Sequence, residues 1–184
     1  MNRPKDHDSD YEREIDSLHK ALGIAADYRR QCPLPLQVVP ERLVPTEADC
    51  FGRPQQLTEA AFQAWTEMKR DAAGQDVEMF LVSAWRSPRH QHDLVARKLA
   101  GGQGIEQILK VNAAPGYSEH HTGRAIDIGT PGCEVLTEEF ESTSAFHWLS
   151  EHAEKFGFHM SYPRGNDRGI AYEPWHWCYR EETR

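Results

Sequence analysis

The 184-residue sequence predicts an α+β fold: a small, mainly antiparallel sheet flanked by helices, with an N-terminal helical extension. Three observations carry this. Apolar residues recur at helical spacing in several separate stretches, short β-rich runs stand between them, and the two do not alternate as clean strand–helix–strand repeats. A chain of this length buries about 70% of the surface its unfolded form exposes, enough for a core without disulfides or a structural metal. A single domain over 1–184 is therefore expected, with 1–56 a helix and wrapping segment and 57–180 the core.

Tyr11, Ile15, Leu18 and Leu22 fall at i, i+4, i+7 and i+11, one apolar stripe of a helix that Gly23 ends. Residues 31–56 hold Pro33, Pro35, Pro40 and Pro45 and read as extended chain, with a short strand expected at 36–39. Leu57, Phe62, Trp65 and Met68 mark a second helix, with Thr58 at its N-cap and Gly74 beyond its end. Residues 77–85 are β-rich and apolar, a buried strand. Ser87-Pro88 opens the next helix, serine at N-cap and proline at N1, and Gly101-Gly102 closes it. A short helix is expected at 104–110 and a strand at 124–128. Thr137 is expected to cap one long helix through Phe146, Leu149, Ala153 and Phe156, which Gly157 stops. Residues 158–161 and 175–179 read as strands, with turn chemistry in 163–169.

Composition narrows the functional classes. The net charge is −8, which argues against nucleic acid, where a basic stripe is the usual footprint. No apolar run approaches the ~18 residues of a membrane span. The first residues contain no apolar signal core, so a cytoplasmic protein is expected, or a periplasmic or secreted one if a leader precedes Met1. Cys32, Cys50, Cys133 and Cys178 show no C-x-x-C spacing. Small buried or idle thiols are favoured over the pairs Cys32–Cys50 and Cys133–Cys178. Ten histidines are many for this length. His7, His19, His90, His92, His147, His152 and His159 read as ordinary core or surface residues, and His121 as lining a cleft.

The chemistry concentrates in Ser118-Glu-His120-His-Thr-Gly123-Arg-Ala125-Ile-Asp127 and, almost fifty residues later, Glu173-Pro-Trp175-His176. His120, Asp127 and His176 offer two imidazoles and a carboxylate. Three protein ligands with a fourth position open is the arrangement of catalytic zinc, although other transition metals also take such a set. Gly123 can bend the chain between His120 and Asp127. Ala125 and Asp127 share a strand face, and the small residue leaves room for metal and substrate. Glu173 is a candidate general base. In a regular strand it would point away from His176, but Pro174 pushes it out of the αR region, so it is expected in the preceding turn, swung back toward the metal. Cys178, two residues after His176, shares that strand face and is a weaker ligand candidate.

These blocks resemble the VanY-type D-alanyl-D-alanine carboxypeptidases, zinc peptidases of the VanX/VanY group related in fold to the hedgehog signalling domain. Ser83-Ala-Trp-Arg86-Ser87-Pro-Arg-His-Gln91 is similar to a further family block, as is the stretch from Phe156-Gly-Phe158 through Ser161-Tyr162-Pro163 to Tyr179. The likeness covers roughly 77–180. It implies that His120, Asp127 and His176 hold one zinc ion and that Glu173 is the base. It implies that Arg86 stabilises an oxyanion or anchors substrate, and that Ser118, Gln91, Ser87 and Ser161 contact substrate. Two departures, Ala84-Trp85 for Gly-Tyr and Cys178 at a position that is often basic, touch none of this chemistry.

The activity implied is removal of the terminal D-amino acid from peptidoglycan stem peptides. A chain that meets recycled muropeptides rather than the assembled wall would favour LD cleavage of tetrapeptides over DD cleavage of pentapeptides. An endopeptidase or endolysin is the alternative, though no wall-binding module is visible. A zinc-binding module without catalysis is a third reading, disfavoured by the presence of Glu173 and Arg86.

Overall fold

A computed structural model describes residues 5–181, with side chains from Ser9 onward; the side chain of His7 lies outside the described residues. In chain order the elements are α1 (Lys5–Leu22), α2 (Tyr28–Gln31), β1 (Val44–Pro45), β2 (Gln56–Leu57), α3 (Glu59–Ala73), β3 (Phe80–Ser83), α4 (Pro88–Ala100), α5 (Ile105–Ile108), β4 (Ala125–Gly129), α6 (Ser144–His152), β5 (Phe158–Met160) and β6 (His176–Tyr179). The fold is α+β, and every strand pairing is antiparallel.

The chain forms two compact units. The first, helical, takes Met1–Gln37, Ser87–Ser118 and Asp167–Ile170; the second takes Val38–Arg86, Glu119–Asn166 and Ala171–Arg184. In the helical unit α1 packs on α4, and Arg89 pairs with Glu14 at 3.0 Å. Ile15, on the predicted stripe, is fully buried, as is Val95 of α4. A side chain at Gly116 would collide with Ile15 at 2.9 Å, and its φ of +87° is one that only glycine adopts readily. His19 is buried between Tyr28 and Tyr117, with ring centroids at 5.3 and 5.7 Å, and its Nε2 meets the Pro115 carbonyl at 2.8 Å.

The second unit is built on a four-stranded sheet of order β3-β4-β6-β5. All five residues of β4 are buried, so this central strand has no solvent-exposed face. Trp65, Met68, Leu81, Ile126, Ile128, Phe140, Phe158 and Trp177 lie in its core. Helix α3 contributes Ala61, Trp65, Met68 and Ala72, an i, i+4, i+7, i+11 face. Thr58 occupies its N-cap in extended conformation, without a side-chain capping bond. Ser87 does cap α4, its Oγ accepting from the His90 N–H at 3.1 Å.

Two expectations are corrected. No strand forms at 36–39; the short pairing lies further on, Val44 opposite Leu57 and Pro45 opposite Gln56. The long helix expected from Thr137 is broken into a 3-10 helix at Glu138–Ser142, α6, and another 3-10 turn at Ala153–Phe156. Thr143 makes the first break: it is extended (ψ 156°), and its hydroxyl accepts from the Phe146 N–H at 3.2 Å, starting a new helix. Among the described residues no helix is long and apolar enough to cross a membrane, and all four cysteines are free thiols.

Candidate active site

The site lies in the sheet unit. Asp127 on β4 and His176 on β6 are partners across the antiparallel ladder. Direct partners have Cβ atoms about 5 Å apart on one face of the sheet, and here His176 Nδ1 comes to 3.0 Å from Asp127 Oδ1. His120 arrives from outside the sheet, on the one-turn 3-10 helix Glu119–Thr122, and puts Nε2 at 3.1 Å from Asp127 Oδ2. Gly123 turns the chain from that helix into β4 at φ +64°. A Cβ there would meet Leu43 at 2.5 Å, so no other residue fits without displacement.

The ligand-bearing atoms of His120, Asp127 and His176 lie within 4.8 Å of one another, and all three residues are buried. Two ligands on one tetrahedral zinc with bonds of 2.0–2.1 Å stand about 3.3 Å apart. The observed nitrogen–oxygen spacings are close to that, so the donor set fits a zinc ion. The rings of His120 and His176 meet edge-on at 5.0 Å, and Tyr162 lies against His176 at 4.8 Å.

Each ring is held from behind. The Nδ1 of His120 donates to the Ala84 carbonyl at 2.6 Å, which leaves Nε2 for Asp127. Ala84 is itself braced: its N–H donates to Gln55 Oε1 at 2.9 Å. Gln55 Nε2 in turn donates to Asp49 Oδ2 at 2.7 Å, and Asp49 also accepts the N–H groups of Phe51 and Arg53. His121 turns its Nδ1 to the Arg86 carbonyl at 2.6 Å and is fully buried, so it braces the backbone of Arg86.

Electrostatics follow from these partners. Burial opposes ionisation of Asp127, but His120 and then His176 outweigh it and hold the carboxyl far below its ordinary range. Burial also opposes charge on His176, yet its bonds to Asp127 and Glu119 push it up to about 10. Burial leaves His121 neutral, pushed down to about 4, and lowers His120 against the pull of Asp127. The pocket thus concentrates carboxylate charge around imidazoles and suits a cation.

Glu173 sits in the turn before β6. Its carbonyl accepts the His176 N–H at 3.2 Å, its own N–H donates to Tyr162, and its carboxylate stands 4.0 Å from His176 Nδ1. Burial lifts this carboxyl to about 7, with His176 pulling the other way. A cation bound beside it would favour the ionised form. Arg86 is 3.8 Å from Asp127 Oδ2 and donates to Ser83 Oγ at 3.1 Å. A register shift between Leu81 and Ser83 sets Ser83 opposite Asp127.

Of the remaining predicted residues, Ser161 is in the sheet unit and buried. Ser118, Gln91 and Ser87 belong to the helical unit. Ser118 is buried there, Gln91 donates to the Ala113 carbonyl at 2.7 Å, and Ser87 caps α4. Cys178 stays outside the three-donor cluster; burial raises its thiol, and its Sγ faces the Tyr179 carbonyl at 3.8 Å. The residue that sequence reasoning passed over is Glu119, whose Oε2 is 3.0 Å from His176 Nε2. Its only sequence signal is its place inside the Ser118–Asp127 block.

Comparisons with known proteins agree with this geometry. The family profile described as VanY, D-alanyl-D-alanine carboxypeptidase, matches residues 54–182. The Bacillus subtilis (strain 168) protein YodJ is 30% identical over 173 residues, 90% of this chain; the chain spans 63% of that curated relative. Among solved structures, the LdcB LD-carboxypeptidase superposes with a TM-score of 0.70 at 30% identity, over 81% of this chain and 72% of that one. A variant of the D,D-pentapeptidase VanY from a VanB-type resistance cassette, in complex with Zn(II), gives 0.60 at 28% identity, over 82% and 84%. The chain belongs to the VanY family of D-alanyl-D-alanine carboxypeptidases.

Proposed function

We propose that the chain is a zinc-dependent carboxypeptidase that removes the terminal D-amino acid from peptidoglycan stem peptides. The observation that carries this is the convergence of His120, Asp127 and His176, with the Glu173 carboxylate 4.0 Å from His176 and Arg86 3.8 Å from Asp127. His120 through Nε2, His176 through Nδ1 and the Asp127 carboxylate would hold the ion. When bound, zinc supplies Lewis acidity to the scissile carbonyl and lowers the pKa of water. Glu173 accepts the proton of the attacking water on its carboxylate and returns it to the leaving amine. The Arg86 guanidinium, braced by Ser83 while His121 holds the Arg86 backbone, offers a planar fork to the substrate carboxylate or the developing oxyanion. Ser161, buried in the same unit, would add a further substrate contact.

For the bond cleaved, LD cleavage of tetrapeptides is favoured over DD cleavage of pentapeptides. That order rests on an expected encounter with recycled muropeptides; the solved neighbours include L,D- and D,D-cleaving enzymes at overlapping TM-scores. The deciding measurement incubates the protein with disaccharide tetrapeptide, disaccharide pentapeptide and a cross-linked dimer, and weighs the products. Loss of one D-Ala from the tetrapeptide alone is expected. Cleavage of the pentapeptide alone reverses the preference, and opening of the cross-link instead makes the protein an endopeptidase.

A further inference from the structure

The two histidines of the site present opposite nitrogens, and the fold explains why. His176 stands directly across the ladder from Asp127. Over so short a gap the nitrogen nearer the backbone, Nδ1, meets the carboxylate, at 3.0 Å. Nε2 then projects beyond Asp127. His120 starts outside the sheet and reaches in with its far nitrogen, its near one held by the Ala84 carbonyl. Something must occupy Nε2 of His176, because a buried ring nitrogen left unpaired costs about 1–3 kcal/mol. Glu119 meets it at 3.0 Å, with a side chain only 13% exposed.

We infer that Glu119 is a positioning residue for His176: it accepts the Nε2–H, fixes the ring tautomer and orientation, and thereby directs Nδ1 to Asp127 and the metal. A carboxylate behind a metal-bound imidazole raises its basicity, and removing such a partner typically weakens metal binding about 10–100-fold. The backbone carbonyl behind His120 does the equivalent task without charge, so the two ligands differ in what a single substitution can remove. Ala84 keeps its carbonyl under any side-chain change, whereas Glu119 can be replaced. The inference rests on the zinc site proposed above.

The test uses the full-length chain with zinc alone as the probe. Zinc affinity is measured by chelator competition for the wild type, Glu119→Gln and Glu119→Ala. Long-range proton–nitrogen NMR spectra of the zinc-loaded proteins identify the bound nitrogen of each imidazole. Glu119→Gln keeps an acceptor and loses the charge, so affinity is expected to fall about 10-fold, and toward 100-fold in Glu119→Ala. His176 should show a metal-bound Nδ1 and a protonated Nε2 in the wild type, with this pattern weakened in the alanine variant. His120 should keep its metal-bound Nε2 throughout, an internal control that a general loss of structure would not spare. Unchanged affinity in both variants, or His176 bound through Nε2 in the wild type, overturns the inference while leaving the zinc site standing. A wild type that binds no zinc overturns the site and the inference together. Should Glu119→Ala not fold, the isosteric Glu119→Gln decides alone.

Discussion

The sheet unit and the helical unit each bury a histidine against aromatic rings, and they treat it in opposite ways. His19 lies between Tyr28 and Tyr117 and is hydrogen-bonded to a neutral group, the Pro115 carbonyl, while Asp16 and Arg29 act on it with opposite signs. Burial lowers its pKa, only partly offset by that bond, and the ring stays uncharged near neutral pH. His176 is buried to a similar degree, against Tyr162 and His120, yet two carboxylates at 3.0 Å raise it. Burial disfavours charge in both places; the partners decide the outcome. A neutral aromatic cluster is packing. A histidine between carboxylates, beside a second histidine, is a place for a cation.

Substitutions in the two units should separate these roles, and the largest effect is expected at Asp127. Its carboxylate is shared by His120 and His176, so Asp127→Ala should abolish stoichiometric zinc binding and bring turnover below detection, as read by metal analysis and muropeptide hydrolysis. Glu173→Gln keeps the three donors. It should retain zinc and lose about 10²–10⁴-fold in turnover, the usual contribution of a general base; full activity in this variant removes Glu173 from the mechanism. Gln55→Ala acts further back. It takes the acceptor from the Ala84 N–H and should cost about 1–3 kcal/mol in urea unfolding, with a weaker zinc affinity because Ala84 orients His120.

The smallest effect belongs to the helical unit. His19 has a folded pKa below its unfolded 6.5. On acidification the unfolded chain takes up the proton first, so the associated stability is complete above 6.5 and falls as pH drops from there toward the folded pKa. The slope is at most about 1.4 kcal/mol per pH unit. Relative to His19→Gln, the wild type should lose urea stability between pH 7.5 and 5, with zinc affinity at pH 7.5 equal in the two proteins. A variant that alters zinc binding would break the division of roles.

Much of the site is legible because its parts are local. His120, Gly123 and Asp127 fall within eight residues, where a 3-10 turn, a positive-φ glycine and a buried strand leave little freedom in their placement. Pro174 restricts the backbone of Glu173, which sits in the turn before β6. The stretch from Thr137 to Phe156 is less legible. Apolar spacing from Thr137 to Phe156 fits one continuous helix, and the break depends on Thr143 choosing its own N–H partner, which periodicity does not encode.

By itself the sequence determined the α+β class, the helix that Ser87-Pro88 opens, and the identity of the donor set, since each rests on residue type and short spacing. Tertiary structure decided which nitrogen each histidine presents, that Glu119 stands behind His176, and that Asp49 and Gln55 brace the carbonyl behind His120. Those contacts join residues between 29 and 57 positions apart, apart from the local Asp49–Gln55 bond. They depend on strand register and on the reach of single side chains, quantities that arise only when the sheet has closed.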